Sequence, residues 1–162
     1  MDKVLLVIPA FNEEKNIERV VEDLVRGFGQ LDYVVVNDGS RDSTAKICRE
    51  KGYTLLALPV NLGLAGCFQA GMKYAYRKGY RYAVQFDGDG QHRPEYIEAM
   101  RQKMEEGYDI VIGSRFVTEK KGWSVRMIGS RIIGSAIRLT TGTRVTDPTS
   151  GMRMFNRRMI EE

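Results

Sequence analysis

Short apolar runs alternate with longer amphipathic segments along the first two thirds of the chain. The first of these runs, residues 3–8, is almost continuously apolar, as in a strand buried on both faces of a sheet. Four further runs predict strands at residues 31–36, 53–58, 80–86 and 108–112. Each run ends in polar or glycine-containing residues that favour a turn. The pattern therefore predicts five strands joined by segments long enough to contain helices.

The segments between these runs have the spacing of amphipathic helices. In the first of them, the apolar residues Ile17, Val20, Val21, Leu24 and Val25 recur at spacings of three or four, so they would share one face. Helices are predicted over about residues 12–27, 43–52, 64–79 and 94–106. Because helix and strand alternate, we predict an α/β fold with a mostly parallel sheet covered on both faces.

The pattern changes after residue 113. A loop leads into a predicted helix over residues 124–141, a polar turn follows at 147–151, and residues 152–155 form a predicted short strand. The last residues resemble the start of another helix, which we interpret as a sequence cut short at its C-terminus. At 162 residues, the chain fits a single domain with a core of its own.

Charge is distributed unevenly over this domain. Residues 1–112 carry fifteen basic and seventeen acidic side chains, whereas residues 113–162 carry ten basic and four acidic ones. The basic end suits phosphate groups, an anionic membrane surface or nucleic acid. Nucleic acid is disfavoured as a partner, because no recognised binding motif accompanies the charge.

Other features of the sequence limit where the protein works. No apolar run approaches the length needed to span a bilayer, and the N-terminal run is too short for a signal peptide. Cys48 and Cys67 lack the spacing of a metal site or a disulfide framework, so we interpret both as buried thiols in a reducing compartment. We therefore expect a cytoplasmic protein.

The fourth apolar run ends in two carboxylates, Asp87 and Asp89, separated by Gly88. Glycines around the acids allow a sharp turn and a close approach to a ligand. Oxygen-rich sites of this kind suit Mg²⁺ or Mn²⁺, which complete their coordination with waters and substrate phosphates. The alternative is a polar turn whose acids are only solvated.

Three strand ends are predicted to converge at one edge of the sheet, at residues 9–13, 37–42 and 87–91. In open α/β sheets this carboxyl edge forms the ligand crevice. The first two loops precede helix starts, where free amide groups favour anions. A dinucleotide fingerprint and a P-loop lysine motif are both absent, which disfavours NAD-dependent redox chemistry and P-loop hydrolysis.

Five motifs follow one another along nearly the whole chain. They are Ile8-Pro9-Ala10-Phe11-Asn12-Glu13-Glu14, Val36-Asn37-Asp38-Gly39-Ser40, Asp87-Gly88-Asp89-Gly90-Gln91, Gly113-Ser114-Arg115 and Asp147-Pro148-Thr149-Ser150-Gly151-Met152-Arg153. In this order they resemble the motifs of family 2 glycosyltransferases, and the closest branch resembles the dolichyl- or polyprenyl-phosphate sugar synthases.

The resemblance implies a GT-A fold, a Rossmann-like αβα sandwich, and inverting transfer of a sugar from a UDP- or GDP-linked donor. By analogy, the nucleotide sugar would be held by Pro9, Ala10, Phe11, Glu13, Asp38, Asp87 and Gly88. A carboxylate such as that of Asp38 can accept hydrogen bonds from a base or a ribose. Asp38 is also suited to an Asx-type turn cap, and the two roles are compatible.

The resemblance assigns the metal, catalytic and acceptor residues in the same way. Mg²⁺ or Mn²⁺ would be held by Asp87, Asp89 and Gln91, and would neutralise the leaving diphosphate. The acceptor phosphate would be held by Arg115, Arg126, Ser130 and Arg153, since arginine suits bidentate phosphate binding. The catalytic residues would be Asp89, Arg115 and Asp147, with Asp147 orienting groups or holding structure, because a phosphate acceptor hardly needs a strong general base.

A single catalytic domain over residues 1–162 is thus expected, with a nucleotide-sugar half at 1–112 and a basic acceptor half at 113–162. The acceptor favoured by the resemblance is a polyprenyl phosphate at the cytoplasmic face of the membrane. Two departures weaken the match: Leu64-Ala65-Gly66 lacks the basic residue that many relatives carry there, and Met152 replaces a usual aromatic residue.

Other functions stay open on the sequence. One is a glycosyltransferase with a saccharide or protein acceptor, and another is a nucleotide-binding module without turnover. A nucleotidyltransferase is a weaker alternative, because the glycine-rich basic phosphate loop of that class is missing near the N-terminus. The sugar, the base and the oligomeric state are not determined by these patterns.

Overall fold

The computed structural model describes residues 3–29, 31–86, 96–113, 139 and 151–161. The strands are β1 (Val4–Ala10), β2 (Asp32–Asn37), β3 (Leu55–Ala57), β4 (Tyr82–Gln85), β5 (Ile110–Ile112) and β6 (Arg153–Asn156). The helices are α1 (Ile17–Phe28), α2 (Thr44–Glu50), α3 (Gly63–Arg77), α4 (Tyr96–Glu105) and α5 (Arg157–Glu161). The predicted helix at residues 124–141 lies outside the described ranges, apart from residue 139.

The strands form one sheet in the order β3-β2-β1-β4-β6-β5. β1 pairs in parallel with β2 and β4, and β2 pairs in parallel with β3. β6 is antiparallel to both of its neighbours, β4 and β5. The predicted mostly parallel sheet is confirmed. The hydrophobic periodicity of the sequence did not predict that the last strand, β6, inserts between β4 and β5.

Helices cover both faces of the sheet. Alternate residues of β1 point to opposite faces, so Leu6 and Ile8 pack with α1 and α4, while Leu5 and Val7 pack with α3 and α5. The four β1 side chains are at most 1% exposed. The central strand thus anchors both apolar layers, which explains why its sequence is apolar without alternation.

Both cysteines are free thiols buried in these layers, as predicted. No helix among the described residues is long and apolar enough to cross a membrane.

Candidate functional site

The loops that follow β1, β2 and β3 meet at the carboxyl edge of the sheet. Ala10 is in register with Asn37, and Asn37 is in register with Ala57. Beyond the strands, the Asp38 N–H donates to the Ala10 carbonyl at 2.9 Å, and the Leu58 N–H donates to the Asn37 carbonyl at 2.9 Å. The strands therefore end side by side, and the residues after them share one edge, as parallel pairing requires.

Asp38 is buried at this edge, with 3% of its surface exposed. Its Oδ1 accepts a hydrogen bond from the Leu62 N–H at 2.7 Å, and its carbonyl accepts from Asn61 Nδ2 at 3.2 Å. Leu62 immediately precedes α3, so a negative charge here also favours the helix start. Within the described residues, Oδ2 of Asp38 has no hydrogen-bond partner, which leaves it as the oxygen able to contact a ligand.

The capping role predicted for Asp38 is therefore present but differently placed. An Asx-type turn would have used an amide of its own loop, whereas Asp38 Oδ1 accepts from the Leu62 N–H, 24 residues along the chain. The next residue, Gly39, has a φ of 64°, and a Cβ there would lie 2.7 Å from the Asn61 nitrogen. Only glycine fits this position, because it combines a positive φ with a close approach of backbone.

The loop after β1 is interlocked with the loop after β2. Backbone N–H groups of the first loop donate to side chains of the second: Asn12 to Ser40 Oγ at 3.0 Å, Glu13 to Thr44 Oγ1 at 2.9 Å and Glu14 to Asp42 Oδ2 at 3.0 Å. In the other direction, the Arg41 N–H donates to Asn12 Oδ1 at 2.9 Å, and the Ser43 N–H donates to Glu14 Oε2 at 3.0 Å. We call these hydrogen bonds, together with those from Thr44 to Asp42, the loop clasp.

The loop clasp corrects one expectation from the sequence. We expected free amides in these two loops to favour anions, but side-chain oxygens already occupy the N–H groups of residues 12, 13, 14, 41, 43 and 44. The Asp42 carboxylate is itself the anion, accepting from the Glu14 N–H and from the Thr44 N–H. These amides are therefore not available to a diphosphate.

The residues of the first loop that were predicted to bind the donor lie at the same edge. Ala10 is buried with 2% of its surface exposed, while Phe11 is 46% exposed. Glu13 is partly exposed; its carbonyl accepts from the Asn16 N–H at 2.9 Å, and its Oε2 accepts from Asn16 Nδ2 at 2.9 Å. Pro9 is in register with Val36, directly before Ala10. An exposed aromatic ring at a strand end offers a flat surface on which a base can stack.

Cys67 lies beneath this edge, on the first half of α3. Its thiol donates to the Val36 carbonyl at 3.3 Å. Burial is the largest cause that raises the pKa of the Cys67 thiol, and the negative charge of Asp38 raises it further. A hydrogen bond from the Ala10 backbone lowers the pKa, but the net result is a pKa of about 12. The thiol is therefore protonated at neutral pH and acts as a packing group rather than a nucleophile.

The predicted metal ligands follow the end of β4. Phe86 is 5% exposed, and its N–H donates to the Val7 carbonyl at 2.9 Å, so the chain leaves β4 next to β1. Asp87, Gly88, Asp89 and Gln91 lie outside the described residues. Their donor set of two carboxylates and an amide is hard and oxygen-rich, which fits Mg²⁺ or Mn²⁺. The residues that the structure describes contain no other group of acids, histidines or cysteines able to hold a metal ion.

Of the predicted acceptor residues, the structure describes Arg153. It begins β6 and is in register with Gln85 of β4 and with Ile112 of β5. Because β6 runs antiparallel, its first residue lies at the carboxyl ends of both neighbours. The Gly113 N–H donates to the Met152 carbonyl at 2.9 Å, so the segment between them leaves and re-enters the sheet at this edge.

The predicted residues Arg115, Arg126, Ser130 and Asp147 belong to that segment and lie outside the described residues.

No individual functional role was predicted from the sequence for the clasp residues Asn12, Ser40, Asp42 and Thr44. A local signal was present, since polar side chains are dense after both strands, but their pairing spans 28 to 31 residues. Such pairing depends on strand order, which a local pattern does not encode.

Comparison with known proteins identifies the relatives of this chain. An uncharacterised protein of Methanocaldococcus jannaschii is 36% identical over 96% of this chain and 65% of its own length. The polyprenol monophosphomannose synthase of Mycolicibacterium smegmatis is 28% identical over 99% of this chain and 64% of its own length. The UDP-N-acetylglucosamine–dolichyl-phosphate N-acetylglucosaminyltransferase of Methanococcus voltae is 32% identical over 99% of this chain and 72% of its own length. The chain thus spans about two thirds of the length of these relatives.

The fold matches solved structures of glucosyl-3-phosphoglycerate synthase from Mycobacterium tuberculosis. The complex with Mn²⁺, uridine-diphosphate-glucose and phosphoglyceric acid has a TM-score of 0.73 at 21% identity, covering 98% of this chain and 57% of that one. The complex with uridine diphosphate has a TM-score of 0.72 at 20% identity, covering 98% and 58%. At these identities the likeness concerns the fold, and it confirms the predicted GT-A architecture.

The sequence profile described as Glycosyl transferase family 2 matches residues 5–162. Two of the relatives are named as enzymes that work on polyprenol or dolichyl phosphate, which supports the branch that the five motifs resemble. Because the family profile covers nearly the whole chain, the chain belongs to family 2 of the glycosyltransferases.

Proposed function

We propose that this protein is a metal-dependent, inverting glycosyltransferase that moves a sugar from a UDP- or GDP-linked donor to a polyprenyl phosphate. The observation that carries the proposal is the placement of Asp38 beside the loop after β1. Its carboxylate is buried at the end of β2 with Oδ1 bound to the Leu62 N–H, and no described residue hydrogen-bonds Oδ2.

The nucleoside half of the donor fits the described part of this edge. Asp38 Oδ2 can accept from a base N–H or a ribose O–H, and the exposed ring of Phe11 can stack on the base. Pro9, Ala10 and Glu13 complete the wall on the β1 side. Neither a dinucleotide fingerprint nor a P-loop is present, so a nucleoside diphosphate is the better fit.

The diphosphate needs a different partner, because the loop amides nearest the strand ends are already occupied. We assign this role to a divalent cation held by Asp87, Asp89 and Gln91, directly after β4. When bound, such a cation supplies Lewis-acid stabilisation of the negative charge on the leaving diphosphate.

The acceptor half is proposed from charge and topology. The basic segment after Gly113 starts and ends at the same edge as the donor loops, with Arg153 at its return. Arg115, Arg126, Ser130 and Arg153 would bind the acceptor phosphate, with Asp147 orienting it. The named relatives use polyprenol or dolichyl phosphates, so we place the acceptor at a membrane surface. A phosphate acceptor is already anionic, so its attack requires little help from a general base.

Nucleotide binding tests the donor and metal assignments together. Titration calorimetry with UDP, GDP, NAD and ATP, with and without Mn²⁺, should show the tightest binding for UDP or GDP, and should show it with Mn²⁺. Asp89→Ala should lose the Mn²⁺-dependent part of this binding and keep the melting temperature. Glu106→Ala serves as the matched control and should bind nucleotide and Mn²⁺ as wild type does. Glu106 is an acid directly after α4 that pairs with Lys103 of that helix.

A clear preference for NAD or ATP would overturn the donor assignment. Binding of Mn²⁺ and nucleotide by Asp89→Ala at the wild-type level would overturn the metal assignment. Transfer assays that offer a polyprenyl phosphate beside an oligosaccharide acceptor then decide the acceptor class. Nucleotide binding without transfer to either acceptor would favour a binding module without turnover.

A further inference from the structure

We propose that Thr44 and Asp42 are positioning residues for the nucleoside half of the donor site: through the loop clasp they fix the distance between the loop carrying Phe11 and Glu13 and the loop carrying Asp38. The inference rests on the proposed function, because it takes these two loops as the walls of the nucleoside site. The sequence comparisons assign no role to either residue.

Thr44 is the centre of the clasp. It is the first residue of α2 and its side chain has no exposed surface. Its Oγ1 accepts from the Glu13 N–H at 2.9 Å and donates to Asp42 Oδ1 at 2.5 Å, while its own N–H donates to the same Oδ1 at 2.9 Å. One buried hydroxyl thus joins the backbone of the first loop to the carboxylate of the second.

Asp42 extends the same connection by one residue. Its Oδ2 accepts from the Glu14 N–H at 3.0 Å, next to the bond made by the Glu13 N–H. Two successive amides of the first loop are therefore held by two neighbouring side chains of the second. Because the bonds point in fixed directions, the first loop cannot shift along the edge without breaking both.

The backbone of the first loop shows how closely its path is specified. Asn12 has a φ of 56°, the left-handed region that residues other than glycine rarely adopt. Its N–H donates to Ser40 Oγ and its Oδ1 accepts from the Arg41 N–H, so the clasp holds this conformation from both sides. Asn12 lies between Phe11 and Glu13, the two side chains that the clasp would orient toward the nucleoside.

Apolar packing does not replace the clasp at this point. Phe11 is 46% exposed, Asn12 is exposed, and Glu13 is partly exposed, so the loop is held to its neighbour through hydrogen bonds. Preorganised walls strengthen ligand binding, because the ordering cost is met before the ligand arrives. Loss of the clasp would therefore weaken nucleoside binding more than it weakens the fold.

An ion pair also joins α1 to α2, away from the carboxyl edge of the sheet. Lys51, at the far end of α2, pairs with Glu18 and Glu22 of α1. Lys51 lies seven residues after Thr44, which is about 10 Å along the helix axis. The pair supplies a matched control, since it joins the same elements without touching the donor loops.

Calorimetric titration of UDP and GDP with Mn²⁺ tests the positioning role. Thr44→Val keeps the shape but removes the hydroxyl, and should weaken the nucleotide that wild type prefers by about tenfold or more. Thr44→Ser restores the hydroxyl and should recover affinity to within about threefold of wild type. Lys51→Met should lower the melting temperature while leaving nucleotide affinity unchanged.

Wild-type affinity in a folded Thr44→Val protein would overturn the positioning role. Equal losses of affinity in Thr44→Val and Lys51→Met would also overturn it, since they would indicate a general effect on stability. If Thr44→Val does not fold, Ser40→Ala removes one bond at a partly exposed site and should weaken binding measurably without lowering the melting temperature. Wild type that binds neither UDP nor GDP would instead overturn the donor assignment itself.

Discussion

At the residue scale, two carboxylates of the loop after β2, those of Asp38 and Asp42, differ in the contacts they make. Asp38 holds the start of α3 through Oδ1, while its second oxygen has no hydrogen bond to a described residue. Both carboxylate oxygens of Asp42 accept hydrogen bonds within the loop clasp. The two acids lie four residues apart in one loop, yet their contacts give one of them a proposed ligand and the other a protein partner. Hydrogen-bond partners rather than residue type decide the difference.

The loop clasp should make stability depend on pH through Asp42. Burial by itself raises the pKa of this carboxyl, but hydrogen bonds from the Thr44 hydroxyl, the Thr44 N–H and the Glu14 N–H lower it below its ordinary value of 3.8. A carboxyl whose pKa is lowered by folding stabilises the protein above its unfolded pKa, and this stabilisation is lost as the pH falls through the folded pKa. The stabilisation should therefore be complete at neutral pH and disappear in acid.

Urea unfolding of wild type and Asp42→Asn over a pH series measures this effect. The difference in unfolding free energy should be largest near neutral pH and should shrink below about pH 4. Asp23→Asn is the control, because that exposed acid lies 3.6 Å from Arg26 in a surface pair of little energetic value. A difference for Asp42→Asn that stays constant across the series would contradict the prediction.

At the element scale, α3 connects the donor edge to the core. Its first turn is held by Asp38, and its middle packs so closely on β1 and β2 that a Cβ at Gly71 would lie 2.3 Å from Val7 Cγ1 and 3.3 Å from Val36 Cγ2. A helix seated at this distance places its N-terminal residues against the loop after β2. The position of the loop after β2, which is proposed to bind the donor, thus depends on the packing of one helix against the central strands.

Gly71→Ala should therefore destabilise the protein by about 1–3 kcal/mol, because the added methyl overlaps buried side chains of the central strands. Gly27→Ala in α1 is the control, since a Cβ there meets nothing within 4 Å. That substitution should instead stabilise the protein by about 0.5–1 kcal/mol through helix propensity. Chemical denaturation of both variants measures the two effects, and equal stabilities would show that α3 can move away from β1.

At the scale of the whole molecule, the proposed donor and acceptor regions lie on different parts of the sheet. β1, β2 and β3 carry the loops proposed to hold the donor, while β5 and β6 deliver both ends of the basic segment to the same edge. The donor loops lie on the parallel half of the sheet, and the antiparallel β6 returns the chain beside β4, where the proposed metal ligands begin. The insertion of β6 thus brings Arg153 and both ends of the basic segment beside the end of β4, after which the proposed metal ligands follow in the sequence.

Arg115→Ala and Arg126→Ala test the acceptor half of this arrangement. Removing one partner of a charge pair in a partly dry cleft costs roughly 2–5 kcal/mol, so transfer to polyprenyl phosphate should fall by about thirtyfold or more. Binding of UDP or GDP should not change. Lys46→Ala, at an exposed pair on α2, controls for the loss of one positive charge and should transfer as wild type does.

Transfer rates and nucleotide affinities of the same preparations decide between the two halves. Loss of nucleotide affinity with unchanged dependence on the acceptor would move both arginines to the donor side. A saccharide acceptor would then be the better assignment.

The sequence by itself determined the order of the elements, the α/β class and the family, since these follow from local periodicity and from short motifs in a fixed order. It also located the acids after β2 and β4. The two halves of the domain, and the roles of Asp89, Arg115 and Asp147, remain predictions, because the residues that would carry them lie outside the described ranges.

Only the tertiary structure decided which polar groups at the edge are free to bind a ligand. The amides expected to attract anions are occupied by Ser40, Asp42 and Thr44, and Asp38 caps the loop after β3 rather than its own turn. The position of β6 between β4 and β5 was likewise decided by strand pairing. The physical reason is the same in each case: the partners lie more than twenty residues apart, so a local pattern names the donors and acceptors but not the pairs they form.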